Sequence, residues 1–281
     1  MSRWSPEALQ FTLAPTNVRV ARSSRHFGIG SGRHSDIGNR IVPKSAAGAE
    51  SQPWRDAVTT MSEIVRILDG DSTRRARATV ILSNHFARYA LMPCSELIDD
   101  DNEEILLSRH CLRELYGNAA EQWELRIDPE RRGPAKLVCA VEPELLEGLR
   151  EVFAGSSIRL ASIQPRLMAV CNRHRQFLGS QDAWLAVVEA GSLCLALLQH
   201  GEIVRLRHVR LGAAWAAELV LALDRENLLA DPGATSRNVF VAAAEVQAQQ
   251  FPSGLPWVIS ALDPPEQQDA DTARHGNSAM A

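Results

Sequence analysis

Few side chains in this sequence stand at spacings that do chemistry. His85, His110 and His174 are far apart and have no second ligand at i+3 or i+4, so they read as ordinary imidazoles rather than a metal site. Asp99, Asp100 and Asp101 concentrate charge as a metal loop would. They stand just before a helical pattern, however, where carboxylates cap free N–H groups and complement the helix dipole. Gly28-x-Gly30-x-Gly32 has the look of a dinucleotide loop but runs into Arg33-His34-Ser35-Asp36, with no helix opening there. No Gly-x-Ser-x-Gly turn presents a nucleophile, and Ser192 lies in Ala-Gly-Ser-Leu-Cys within a run of strands. Arg205, Arg207 and Arg210, with His208, alternate along one strand; a basic strip for an acidic peptide and a solvated strand face look the same at this level. Cys94, Cys111, Cys139, Cys171 and Cys194 are odd in number, widely spaced and set in apolar segments, which fits reduced core thiols.

The elements that would position these groups alternate between strand and helix. Leu9–Ala14 and Asn17–Ser23 are β-like runs around Pro15-Thr16 and read as a hairpin. From Arg25 to Gln52 the chain is rich in Gly, Ser and Arg without apolar periodicity, and reads as one exposed loop. Pro53 then opens a helix whose apolar face is Val58, Met61, Ile64, Val65 and Leu68. Ala78–Leu82 and Phe86–Met92 read as a second hairpin about Ser83-Asn84-His85, followed by a helix to Tyr116 that Gly117 closes. Trp123–Ile127 and Leu137–Val141 are strands, Pro143–Phe153 a helix, Ile158–Ile163 a strand and Pro165–Phe177 a helix. Trp184–Glu189, Leu193–Gln199 and Ile203–Val209 form a meander, with a helix from Ala213 to Leu229 behind it. Val239–Ala243 and Trp257–Ser260 are short closing strands, and the polar stretch 263–281 reads as a disordered tail. Trp4, Trp54 and Trp215 are expected to pack in the core or at domain boundaries.

Composition bounds the function. The chain has 281 residues, 45% of them hydrophobic, enough for a large packed core. Its net charge of −4, with Lys and Arg dispersed among acids, lacks the basic field that nucleic acid requires. No apolar run reaches the roughly 20 residues of a membrane span, and no signal-peptide pattern opens the sequence, so a cytoplasmic protein is expected.

Two blocks repeat one logic, an opening strand pair and a later meander from Trp184, and three segments carry a family likeness. Thr79–Pro93, Val138–Arg173 with Ser162-Ile163-Gln164-Pro165, and Ala186–Gly212 with Gly191, Gly201, Arg207 and Gly212 resemble the type IV pilus assembly protein PilM and the cytoplasmic region of the type II secretion protein GspL. The resemblance spans roughly Leu9 to Ala243. It implies an α/β, actin-like, ribonuclease H-like duplicated fold with two halves around a cleft: 1–177 with an inserted subdomain at about 78–142, then a shortened 178–262. In such folds the first hairpin of each half presents an Asp-x-Gly turn to nucleotide phosphates or their metal.

At the first hairpin this chain departs from that pattern. Thr12-Leu13-Ala14-Pro15-Thr16-Asn17 lacks both carboxylate and glycine, and Pro15 removes an N–H donor. In the second hairpin Glu189 stands for the Asp while Gly191 and Ser192 remain, a residual phosphate turn that could also be a plain hairpin turn. The resemblance therefore implies a non-catalytic scaffold of a pilus or secretion platform, with no cofactor beyond residual ATP/Mg binding. Its implied partner is the cytosolic tail of a bitopic inner-membrane protein, taken up near Thr79, Ile81, Phe86, Tyr89, Val138 and Val141, which would make the chain peripheral to that membrane. The alternative is an actin-like ATPase with atypical phosphate ligands, Glu189 holding the metal.

Overall fold

The computed structural model describes residues 7–24, 33–43, 52–71, 76–94, 100–129, 135–229, 236–243 and 251–262. The first hairpin is β1 (Glu7–Leu13) with β2 (Asn17–Ser24), and β3 (Arg33–Ile41) pairs antiparallel with β2. Helix α1 (Pro53–Asp71) starts on its proline and leads to β4 (Ala76–Leu82), which lies parallel to β1. An insertion follows: β5 (Ala87–Pro93), α2 (Asp101–Tyr116), a 3-10 turn at 117–122, β6 (Glu124–Ile127) and β7 (Ala135–Val141). After α3 (Pro143–Ala154), β8 (Arg159–Pro165) returns to lie parallel to β4. The short helices α4 (Arg166–Arg173) and α5 (Arg175–Leu178) then cross to the second half. There β9 (Ala183–Glu189), β10 (Ser192–Gln199) and β11 (Glu202–Arg210) form the meander. It is followed by α6 (Trp215–Leu229), β12 (Asn238–Ala242) and β13 (Val258–Ala261).

The duplication is visible in the sheets. One has the order β3-β2-β1-β4-β8 and the other β11-β10-β9-β12-β13: in each, a three-stranded antiparallel meander continued by two parallel strands. The inserted strands make a third sheet, β5-β7-β6, one face of which is covered by α2 through Leu112, Met92, Val138 and Ala140.

Alternation along β9 and β10 explains their unbroken apolar runs. Trp184, Ala186, Val188, Leu193, Leu195 and Leu197 pack beneath α6 with Trp215 and Leu219. The residues between them, Leu185, Val187, Cys194, Ala196 and Leu198, enter the core of the first half beside Leu167, Val170 and Tyr89. Successive side chains of a strand point to opposite faces, so a strand covered on both sides reads as continuously hydrophobic.

Two expectations need correction. The stretch 25–52 is not one exposed loop, because β3 lies within it as an edge strand. Ile37 and Ile41 are exposed there, so no buried alternation marks the strand in the sequence. Ala78–Leu82 and Phe86–Met92 do not form a hairpin: β4 stays in the first sheet while β5 pairs with β7 in the third. Trp54 and Trp215 are buried as expected. Trp4, the glycines at 28, 30 and 32, Asp99 and the tail 263–281 lie outside the described residues.

Candidate functional site: an interlobe cleft and a two-edged groove

Three turns converge where the halves meet. The β1–β2 turn closes by Ala14 N–H donating to Asn17 O at 3.0 Å, and its Pro15 offers no N–H. The β4–β5 turn is tied beneath it, Ser83 N–H donating to Leu13 O at 2.9 Å. The β9–β10 turn carries Glu189, Ala190 and Gly191, whose φ of 80° is a left-handed conformation that glycine adopts without strain. Between them lies a cavity of about 450 Å³, lined by the β1–β2 turn together with Trp54, Arg88, Glu142, Glu189 and Arg210.

The carboxylate of Glu189 is buried and accepts from Asn84 N–H at 2.8 Å. Asn84 is itself buried; its Oδ1 accepts from Tyr89 Oη–H at 2.7 Å and from Leu167 N–H at 3.3 Å. Burial pushes the Tyr89 phenol well above its ordinary pKa, so it stays a donor. Next along the turn, His85 Nε2 lies 2.9 Å from Ala190 O. Ser192 Oγ is 2.6 Å from His208 Nε2, and burial, then Arg88 and His85, lower the His208 pKa to about 4. That imidazole is neutral at physiological pH.

Of the residual phosphate turn read from the sequence, Glu189 and Ser192 are thus engaged with protein groups, while Gly191 shapes the turn. The arginine strip is divided. Arg205 and Arg207 direct their Nε–H groups to the buried Glu226 of α6 at 2.9 and 3.1 Å, whereas Arg210 lines the cleft. Glu226 was not singled out from the sequence. Its one signal is an acid within the apolar pattern of α6, facing the arginine strand.

A second concavity, of about 550 Å³, opens between β8 and the β6–β7 pair. Among the described residues β8 and β6 each end their sheet, so two strand edges border it. Its floor includes Leu82, Leu137, Val141, Leu160 and Met168, and at one rim Glu124 bridges Arg126 at 3.0 Å and Arg150 at 3.5 Å. Val141 is the one proposed partner-binding residue that lines this groove. Phe86 faces the interlobe cleft, and Thr79 accepts from Ser162 Oγ–H at 3.2 Å. Ile81, Tyr89 and Val138 are buried. Sequence reasoning missed Leu160, Met168 and the β8 edge, because a groove depends on where the inserted sheet lies over the first.

Among the described residues no three His, Cys, Asp or Glu side chains gather as a metal would require. Burial pushes the Cys139 and Cys171 thiols up to about 12 and Cys194 higher still, which keeps them protonated. At the cleft the first turn has no carboxylate, and the second holds that of Glu189 against the Asn84 backbone amide. No helix among the described residues is long and apolar enough to cross a membrane.

No protein-family model matches the chain, and no curated protein matches it in sequence. Solved structures do match. The cytoplasmic domain of EpsL, an inner-membrane component of the type II secretion system of Vibrio cholerae, is 11% identical with a TM-score of 0.55, over 92% of this chain and 90% of that one. A chain from a PilM–PilN type IV pilus biogenesis complex is 15% identical with a TM-score of 0.60, over 84% and 81%. A Bacteroides thetaiotaomicron protein of actin-like ATPase fold and unknown function is 8% identical with a TM-score of 0.52, over 86% and 84%. The resemblance read from the sequence pointed to pilus-assembly and type II secretion proteins, and structures of both kinds are among these matches. Identity is low throughout, so what the comparisons establish is architecture: this chain has the actin-like ATPase fold.

Proposed function

We propose that the chain is a non-catalytic scaffold of a type IV pilus or type II secretion assembly platform. In this reading it sits in the cytoplasm at the inner membrane and docks the cytosolic tail of a bitopic membrane protein. The observation that carries the reading is the groove between β8 and β6–β7, with its apolar floor and two strand edges. An extended peptide gains main-chain hydrogen bonds from an edge, and alternate side chains drop into the apolar floor. Fold likeness to an EpsL cytoplasmic domain and to a PilM–PilN complex supports the choice of system. Engagement of Glu189 and Ser192 within the protein supports a pseudo-ATPase.

Fluorescence anisotropy with labelled tail peptides of bitopic inner-membrane proteins encoded beside this chain tests the reading. Saturable micromolar binding is expected, weakened at least about tenfold by Met168→Arg, which puts a charge into the apolar floor. Absence of binding by every such tail, or binding indifferent to Met168→Arg, would sink it.

The second reading, an actin-like ATPase with atypical phosphate ligands, is favoured by the interlobe cavity and by the arginines, Arg88 and Arg210, on its wall. Titration with magnesium ATP separates the two. Saturable affinity that vanishes in Glu189→Ala would favour this second reading.

A further inference from the structure

The turn that the fold would offer to a nucleotide is used here to hold the halves together. Two hydrogen bonds cross the cleft between residues 105 apart in the chain: Asn84 N–H to Glu189 Oε2 at 2.8 Å, and His85 Nε2 to Ala190 O at 2.9 Å. Each end is anchored in its own half. On the first side Ser83 N–H is held by Leu13 O, and Asn84 Oδ1 by Tyr89 and Leu167. On the second, Leu211 N–H holds Gly191 O at 3.1 Å, and Gly191 takes the left-handed φ of 80° that shapes the turn. Beneath these bonds the apolar core runs unbroken from Tyr89 and Leu167 to Val187 and Cys194.

We propose that Glu189 and His85 form a built-in clasp that keeps the two halves closed, so that closure needs no ligand in the cleft. A buried carboxylate bonded to a backbone amide is stronger than a neutral pair, and losing it leaves the Asn84 amide buried without its acceptor. A magnesium nucleotide entering the cleft would compete with Asn84 for Glu189, and so would loosen the clasp rather than tighten it. This inference is independent of what occupies the β8 groove.

Hydrogen exchange on the intact chain, read by mass spectrometry over 83–86 and 189–192, tests it. In the wild type both segments should be strongly protected, and millimolar magnesium ATP should not slow them further. Glu189→Ala should speed exchange in both segments together, by roughly ten- to a hundredfold, while β6 and β7 stay protected. His85→Phe, which removes only the outer bond, should give a smaller increase in the same two segments. Fast exchange at 83–86 in the wild type would overturn the clasp. So would slower exchange on adding magnesium ATP, or acceleration in Glu189→Ala confined to one segment; the two wild-type readings decide the matter even if a variant fails to fold.

Discussion

Glu226 shows how much one buried acid can organise. It lies almost wholly out of solvent on α6 and receives two guanidinium donors, at 2.9 and 3.1 Å, from Arg205 and Arg207. Glu226→Ala should cost about 1–3 kcal/mol, since both arginines can swing toward water once their partner is gone. Urea unfolding checks this, with a lowered midpoint and an unchanged slope expected. His208 gives a pH signature. Its folded pKa of about 4 lies below the ordinary 6.5, so between these values the unfolded chain binds a proton that the folded chain refuses. The stability from the neutral ring is complete above pH 6.5 and falls as pH drops toward 4. Part of the residue remains open to solvent, so the loss should be about 1 kcal/mol. Unfolding curves at pH 7 and pH 4.5 check it, and His208→Gln should flatten the difference between them. The residue types of the β9–β10 turn, Glu189, Gly191 and Ser192, were legible in the sequence; their engagement was not. Nothing local to Glu189 announces that Asn84, 105 positions earlier, will take its carboxylate.

Elements with strong local signals were read well, and those defined by distant partners were not. Proline at the first turn and an apolar stripe located α1 and α3, and the alternation of polar turns located the meander β9–β11. Asp100 is a case where the chemistry was legible: its Oδ1 caps α2 by accepting from Asn102 N–H at 3.2 Å. Asp100→Ala should cost about 1 kcal/mol, read as a lower thermal midpoint, with Asp100→Ser recovering most of it. By contrast, β4 and β5 look like partners, since a polar turn between two apolar strands has the form of a hairpin. Their separation follows from Ser83 and Asn84 being buried, the first bonded to Leu13 O and the second to Glu189 across the halves, which only the tertiary structure supplies. β3 escaped because an edge strand with exposed polar residues and exposed isoleucines has no buried periodicity to detect.

The two halves should unfold as one body, because the segment joining them is pinned and their core is shared. Gly201, at φ 81°, presses its Cα against the joining segment so closely that an added Cβ would stand 2.5 Å from the Gly179 backbone. Gly201 N–H donates to Gln181 O at 3.1 Å, and His200 N–H to Asp182 Oδ1 at 2.6 Å. Gly201→Ala meets both a rare backbone conformation and a backbone clash, so it should be among the most destabilising single changes, roughly 3 kcal/mol or more. Leu185 is fully buried in the core that also holds first-half residues Leu167 and Val170. Leu185→Ala should therefore cost about 2–5 kcal/mol and, more tellingly, lower hydrogen-exchange protection in α4 and β4 as well as in β9. Were the halves independent, the loss would stop at the second sheet. Two separable transitions in the urea unfolding of the wild type, or protection in β4 untouched by Leu185→Ala, would show that the shared core does not couple them.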